Sequence, residues 1–368
     1  MNKIPFFDYP DFFKSNEKLF IETTSEVGRR GAFIMQKDLT AFEAKIAKYT
    51  GSKYAVGVAN ATDGLQMCFM AGGIRSGDEV IICSHTMIAT ASAIHFAGGI
   101  PVPIEAGVDH LMDSEKIENF ITDKTKAICP THLNGRTANM DKIKDIANKY
   151  DLQIYEDAAQ ALGSKWNNKC AGTFGVASCI SFYPAKILGC LGDGGAILTS
   201  DDDLYQKLLL LRDHGRDKNG DVKLWGFNSR LDNLQAAYLN IQFENYDKII
   251  ERRRKIAEIY DVGLSEIKEL KIPNPPSKDI NHYDVFQNYE LEAENRNELK
   301  SYLSDNNIGT LIQWGGKAIH QFKNLGFKQS LPFTDSLFDR LLMLPINMTI
   351  KNDEIEYICE KIKNFYKK

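Results

Sequence analysis

The sequence lacks the patterns that mark several classes of protein. Its seven cysteines are scattered and no two have the C-x-x-C spacing of a zinc or redox site, so we expect buried free thiols and no metal centre. No apolar run reaches the roughly 18 residues of a membrane-spanning helix. Pro5 and Asp8 interrupt the N-terminus where a signal peptide has its apolar core. These absences predict a cytoplasmic protein with no membrane partner.

The chain also lacks an excess of basic charge. The formal net charge is −4, and no long basic stripe is present. The densest cluster, Arg252–Lys255, is predicted to be the solvated face of a helix rather than a binding patch. We therefore expect no nucleic acid as the main partner.

The chain of 368 residues is long enough for about two domains. We predict a large domain over residues 1–240 and a smaller α+β domain over 241–368, with the first ~20 residues packing on the smaller one. Helix and strand patterns alternate through the large domain, which favours an α/β fold with a mostly parallel sheet between helices. Strands are predicted at 54–58, 79–83, 100–104, 126–129, 152–155, 177–182, 196–199 and 284–291. Helices are predicted at 38–46, from Thr62 to 72, and at 90–97, 114–121, 140–150, 204–212, 234–264, 296–305 and 352–365.

One lysine has an unusual setting. Lys186 lies between the apolar strand that ends at Phe182 and the glycine-dense run Gly189–Gly195. Asp157 follows an earlier strand, and ligands of parallel sheets bind at the carboxyl ends of strands. Pyridoxal phosphate (PLP) enzymes need a lysine that forms a Schiff base and an acid that pairs with the pyridinium nitrogen. Asp157 alone fits a cap of a following helix about as well.

A phosphate group also needs a binding site. The segment Asn60–Gly64 follows a strand and opens a helix, and a helix N-terminus favours an anion. Thr62 could instead serve only as the helix cap. Ser181, five positions before Lys186, could donate its hydroxyl to the same phosphate or satisfy a neighbouring strand.

Together these segments resemble the DegT/DnrJ/StrS family of PLP-dependent sugar aminotransferases. The resemblance rests on motifs in a fixed order over nearly the whole chain: Asn60–Asp63, Glu156–Ala161, Ser181–Lys186, Gly192–Gly195 and Gly226–Asp232.

The resemblance implies a fold-type-I PLP transferase that works as a homodimer. It gives Lys186 the Schiff base, Asp157 the pyridine nitrogen and Gln160 the ring or its hydroxyl. It gives Thr62, Asp63 and Ser181 the phosphate, and Asn228 the phosphate of the neighbouring subunit. Arg230 and His320 become candidates for binding the sugar. A surface ion pair for Arg230 and a loop-packing role for His320 remain open.

The sequence departs from the family at three places. Met87 stands where an aromatic residue usually stacks on the cofactor ring, and a thioether can still contact a π face. Asn134 stands where a tyrosine is common, and Gln313–Gly316 replaces a His-Tyr-Pro-like run. These departures bear on the identity of the substrate.

The resemblance implies transfer of an amino group from L-glutamate to a keto group of a nucleotide-linked deoxysugar. The segment Gly226–Arg230 favours amination at the 3-position, while the sugar and nucleotide stay open. One alternative is a PLP-dependent sugar dehydratase of the same fold, in which a histidine replaces the lysine. Another is a non-catalytic sensor that keeps PLP or sugar-nucleotide binding.

Overall fold

The computed structural model describes residues 3–276 and 278–367, so Met1, Asn2, Ser277 and Lys368 lie outside the described residues. The helices are α1 (Tyr9–Arg30), α2 (Lys37–Thr50), α3 (Ala61–Ala71), α4 (Ile88–Phe96), α5 (Met140–Tyr150), α6 (Asp202–Arg212), α7 (Asn233–Phe243), α8 (Tyr246–Leu264), α9 (Arg296–Asp305), α10 (Pro332–Phe338) and α11 (Asn352–Tyr366). The strands are β1 (Tyr54–Val58), β2 (Glu79–Cys83), β3 (Ile100–Ile104), β4 (Thr125–Cys129), β5 (Gln153–Asp157), β6 (Lys165–Trp166), β7 (Lys169–Cys170), β8 (Ala177–Ser181), β9 (Gly195–Thr199), β10 (Leu270–Lys271), β11 (His282–Tyr283), β12 (Tyr289–Ala293) and β13 (Leu341–Leu344).

The large domain is built on a seven-stranded sheet in the order β1-β9-β8-β5-β4-β2-β3. Strand β9 runs antiparallel to both of its neighbours, and the other adjacent pairs are parallel. The prediction of a mostly parallel sheet between helices is therefore confirmed. Strand β3 lies at an edge, where its two prolines leave no central ladder bond unmade.

The topology brings the predicted site together. The carboxyl ends of the parallel strands β1, β2, β4, β5 and β8 all lie along one edge of the sheet. Strand β9 runs in the opposite direction and therefore begins at this edge. Helix α3 packs closely on this sheet at Gly64, where a Cβ atom would lie 2.3 Å from Cys179 Sγ. Glycine at this position lets the N-terminus of α3 approach the strand ends.

A second core belongs to the C-terminal part of the chain. Strands β10, β12 and β13 form an antiparallel sheet, and α8, α9 and α11 pack with it. Ile4 is buried in this core, and its N–H donates to Asn307 O at 2.9 Å. Helix α8 is shared, because Tyr246 and Ile250 contact the large core while Ile256 and Tyr260 contact the small one. The boundary between the two domains stays a prediction.

Three predicted elements differ in the structure. The helix predicted at 114–121 is only a 3₁₀ turn at Ile117–Phe120, because Asp113 forms a turn with Glu115 and Lys116. The helix predicted at 234–264 breaks between α7 and α8, where Asn245 is not helical. The strand predicted at 284–291 begins only at Tyr289, since Phe286 has a positive φ of 51°.

Candidate active site

Lys186 lies in a turn directly after β8. Its backbone N–H donates to Tyr183 O at 2.8 Å, which fixes the turn. The side-chain ammonium has no hydrogen-bond or ion-pair partner in the described part of the chain. Burial lowers the pKa of Lys186 to about 8, and the nearby Asp157 carboxylate opposes this shift. A lysine with a lowered pKa holds more of the neutral amine that attacks a carbonyl.

Asp157 ends β5 and is buried. Thr90 Oγ1 donates to Asp157 Oδ2 at 2.6 Å, and the N–H of Ala159 donates to Oδ1 at 3.1 Å. The residues that follow form turns and no α-helix, so the helix-cap alternative for Asp157 is wrong. Its oxygens keep lone pairs for a further donor such as a protonated ring nitrogen.

A chain of buried hydroxyls supports Asp157. Thr86 Oγ1 lies 2.9 Å from Thr90 Oγ1 and 2.8 Å from Thr131 Oγ1. Sequence reasoning missed these threonines. Their signal was the spacing of Thr86 and Thr90, which lie four residues apart on either side of the start of α4.

Glu156, beside Asp157, has a structural role. Its two oxygens accept from the N–H groups of Gly172, Phe174 and Gly175, each at 2.7 Å, and Nε2 of His132 lies 2.8 Å away. These contacts hold the loop before β8. Of the two adjacent acids, Asp157 is therefore the one available to the site.

The N-terminus of α3 is capped and presents free backbone N–H groups. Asn60, rather than Thr62, is its N-cap, because Asn60 Oδ1 accepts from the N–H of Asp63 at 2.9 Å. The N–H groups of Ala61 and Thr62 remain without a partner in the described residues, as expected for the first turn of a helix. Gly195 lies against them, since a Cβ atom there would be 2.9 Å from Ala61 N.

Ser181 and Asp63 flank this cup. Ser181 Oγ accepts from the N–H of Tyr183 at 3.2 Å, so its own proton is free to donate to an anion. Asp63 Oδ2 accepts from Ser229 Oγ at 2.7 Å, and its N–H is used by Asn60. These contacts favour a positioning role for Asp63.

Gln160 contacts the loop that carries Asn134. Its Oε1 accepts from the N–H of Asn134 at 2.7 Å and from Asn288 Nδ2 at 3.4 Å. The Gln160 amide therefore points its NH₂ group away from these donors. Met87 precedes α4 at the same sheet edge and is 50% exposed, so its thioether is free to contact a planar ring.

Asn134 joins a buried interdomain network. Its Nδ2 donates to Glu290 Oε1 at 3.1 Å, and Gln313 Nε2 donates to both Glu290 Oε2 and Asn134 Oδ1. Burial alone would raise the pKa of Glu290, but His85 and His110 outweigh it and hold that pKa well below its usual range. Asn134 and Gln313, two residues at which this sequence departs from the family pattern, thus bind the carboxylate of Glu290.

The predicted substrate residues lie in different settings. Arg230 Nη1 is 2.8 Å from Asp213 Oδ1, the surface ion pair that the sequence left open. Both ring nitrogens of the buried His320 are occupied, by Ser84 Oγ at 2.7 Å and Asp335 Oδ1 at 2.9 Å. The geometry favours the packing role for His320. Asn228 is exposed on the loop that also carries Arg230.

Comparison with known proteins agrees with this geometry. The DegT/DnrJ/EryC1/StrS aminotransferase family matches residues 14–363. The chain belongs to this family.

Individual relatives match over the full length. The chain is 37% identical to the dTDP-3-amino-3,6-dideoxy-alpha-D-galactopyranose transaminase of Aneurinibacillus thermoaerophilus, covering 98% of this chain and 99% of that protein. It is 36% identical to the pleiotropic regulatory protein of Geobacillus stearothermophilus, covering 99% of both. The crystal structure of Streptomyces venezuelae DesV in complex with a ketimine intermediate has a TM-score of 0.95 at 33% identity and covers 100% of both chains. The predictions of a PLP-dependent aminotransferase and of its fold are confirmed.

The residues present fit the cofactor of this family. The free N–H groups of Ala61 and Thr62 and the Ser181 hydroxyl suit its phosphate, and the buried Asp157 suits its ring nitrogen. The unpartnered amine of Lys186 suits its carbonyl. Among residues 3–276 and 278–367, no helix combines the length and apolar character needed to cross a membrane.

Proposed function

We propose that this aminotransferase moves an amino group from L-glutamate to a keto group of a nucleotide-linked deoxysugar. The proposal is carried by one observation: the unpartnered amine of Lys186 lies near a buried aspartate in a chain 37% identical to a dTDP-sugar transaminase. PLP supplies the electron sink for the reaction when bound.

The residues of this chain would divide the work as follows. Lys186 would bind the cofactor carbonyl, and its amine would take up and return a proton at the Cα atom of the donor. Asp157, held by Thr90 and Ala159 N–H, keeps the ring nitrogen protonated through its charge. Gln160 orients the ring, and Met87 covers its face. Ser181, Thr62 and the N-terminus of α3 hold the phosphate, and Asp63 positions this helix end through its bond with Ser229.

The homodimer is also part of the proposal. Large apolar side chains are exposed outside the cores, among them Phe33, Ile34, Met35, Tyr183 and Trp225, the last 95% exposed. A second copy of the chain would cover them. Asn228 would then reach the phosphate site of the partner subunit, and Arg230 would contact the substrate bound there. Because the seven cysteines are all buried and free, we also propose the cytoplasm as the compartment.

The substrate test uses a panel of keto-sugars, both nucleotide-linked and free, with L-glutamate as donor. We expect a 3-amino sugar nucleotide as product, identified by mass and NMR, because the relative from Aneurinibacillus thermoaerophilus is named a 3-amino sugar transaminase. Turnover of free sugars alone would show that no nucleotide is recognised.

The two alternatives have separate tests. Lys186 opposes the dehydratase, and loss of a hydroxyl without amination in the same panel would reinstate it. The sensor is favoured by the name of the relative from Geobacillus stearothermophilus. Failure of L-glutamate and other donors to convert the bound cofactor to its amino form would support it.

A further inference from the structure

Arg253, in the middle of α8, is a buried cation without an acidic partner. It is 7% exposed, and no carboxylate lies within ion-pair distance of it in residues 3–276 and 278–367. Its Nε donates to Phe286 O at 2.8 Å and its Nη2 to Gln287 O at 2.7 Å. Nη1 makes no such bond within the described residues. The prediction that Arg252–Lys255 forms a solvated face is therefore wrong at Arg253.

Arg253 borders a cavity of ≈ 480 Å³ that Lys186 also borders. A cavity of this size can hold a small organic ligand. Its apolar walls come from the N-terminal segment, from α7 and α8, and from the segment after β13, and they include Phe6, Phe7, Phe12, Ile241, Ile249 and Ile346. Its acidic residues are Asp8, whose Oδ1 accepts from Asp11 N, and the exposed Glu244.

Charge and geometry define the ligand. A buried cation is costly unless it is paired, and two backbone carbonyls offset only part of that cost. Burial lowers the pKa of Arg253 to about 10, so the group is still charged at neutral pH. Of the three guanidinium nitrogens, Nη1 alone makes no hydrogen bond within the described residues, and it can donate to one carboxylate. A diphosphate would be expected to require several cations.

The segment that binds Arg253 also holds the turn of Lys186. Gln287 Oε1 accepts from the N–H of Ile187 at 2.9 Å, and its Nε2 donates to Ala185 O at 2.9 Å. The backbone carbonyl of the same Gln287 accepts from Arg253. Arg253 is therefore linked through one residue to both neighbours of Lys186.

We propose that this cavity binds the amino donor and that Arg253 Nη1 receives one of its carboxylates. The inference rests on the proposed function for its donor, a dicarboxylic amino acid. A carboxylate held at Arg253 fixes the donor in the cavity that Lys186 shares, with the remainder of the molecule against the apolar wall.

Arg253→Gln tests the proposal, with Arg253→Lys as the variant that keeps the cation. Arg254→Gln is the matched control, because Arg254 also binds two backbone carbonyls, Asp284 O at 2.7 Å and Pro276 O at 3.3 Å, but does not border the cavity. The readouts are calorimetric binding of 2-oxoglutarate to the PLP-loaded enzyme, and the two half-reactions measured separately.

We expect Arg253→Gln to weaken 2-oxoglutarate binding about 30-fold, since a charged hydrogen bond contributes about 2 kcal/mol and 1.4 kcal/mol is tenfold. The L-glutamate concentration for half-maximal conversion should rise by a similar factor. Arg253→Lys should recover part of the loss, and Arg254→Gln should bind as the wild type does. In Arg253→Gln the half-reaction with the keto-sugar should lose less than the half-reaction with L-glutamate.

Several results would overturn the inference. An equal loss in Arg254→Gln, or equal losses in both half-reactions, would show a purely structural role. Loss of dTDP binding with unchanged 2-oxoglutarate binding would assign the cavity to the nucleotide. If the wild type binds 2-oxoglutarate through Arg253 but aminates no keto-sugar, the proposed function fails while the carboxylate site stands.

Discussion

At Lys186, burial and a nearby negative charge shift the pKa in opposite directions. Burial disfavours the ammonium, and the carboxylate of Asp157 favours it, with a net lowering of the pKa to about 8 from an ordinary 10.5. The threonine chain at Thr131, Thr86 and Thr90 holds that carboxylate in place. The reactivity of one amine is thus set by residues from three segments: the end of β5, the loop after β4 and the start of α4.

This balance predicts the pH dependence of cofactor attachment. In the cofactor-free protein, the neutral amine of Lys186 accumulates as the pH rises through about 8. The rate of PLP attachment, followed by absorbance, should therefore have its midpoint near pH 8. In Asp157→Asn the opposing charge is lost and the midpoint should move lower. A midpoint near the ordinary 10.5 in the wild type would contradict the prediction.

Sequence reasoning could select Lys186 and Asp157 because their neighbours along the chain are distinctive. It could not select Thr90 or Arg253, because their roles depend on side-chain direction after folding. Arg253 lies among other basic residues, and its bonds to the carbonyls of Phe286 and Gln287 join parts of the chain that are distant in sequence. For the same reason, the packing role of His320 required the positions of Ser84 and Asp335.

Strand β12 is tied to the large domain through a histidine. His110 Nδ1 lies 3.2 Å from Glu290 Oε1, and its Nε2 lies 3.2 Å from Glu292 Oε1. Burial would lower the pKa of His110, but the two glutamates outweigh it and raise that pKa to about 9. The charged imidazole therefore bridges two acids on one strand.

This bridge should make stability depend on pH. The folded pKa of His110 lies above the ordinary 6.5, so its contribution is full below pH 6.5 and is lost as the pH rises through about 9. The thermal midpoint should fall over this range. In His110→Asn, where asparagine tolerates the positive φ of 68°, the fall should be smaller. Identical slopes in the two proteins would count against the bridge.

At the level of elements, periodicity located most strands and helices, because apolar spacing is a local property. It missed α1, α10 and several short strands, and it failed at two further places because a single contact decides the outcome. The N-cap of α3 is Asn60 and not the predicted Thr62, because the Asn60 side chain accepts from the N–H of Asp63. Strand β12 begins late because the carbonyls of the preceding residues bind Arg253 instead of a neighbouring strand.

At the scale of the whole molecule, the proposed site is incomplete in one chain. Asn228 and Trp225 are exposed on a loop that also holds Arg230, and Met87 is exposed at the sheet edge. A second copy would complete each site with the loop of the other.

Mixed dimers test this arrangement. Lys186→Ala and Asn228→Ala should each be nearly inactive alone. If Asn228 serves the partner, a mixed dimer has one site with both residues intact, and a refolded equimolar mixture should regain about a quarter of wild-type activity, assuming statistical pairing of the subunits. No recovery, with mixed dimers confirmed by mass, would place Asn228 in the site of its own subunit. Wild-type protein taken through the same refolding is the control.

The substrate side was the least predictable part of the molecule. Asn134 and Gln313 depart from the resembled family, and the structure shows that both bind Glu290. Their partners come from distant parts of the chain, so no local pattern could reveal this pairing. The identity of the sugar depends on such contacts and on the proposed partner subunit.

Helix α8 has a mechanical consequence. It is a continuous 19-residue helix whose first turns are set in one core and whose last turns are set in the other. Rotation of one domain relative to the other would require α8 to bend, or one of the two cores to lose its contacts with the helix. We therefore expect substrate entry and product release to depend on movement of the loops at the sheet edge, while the two domains keep their relative orientation.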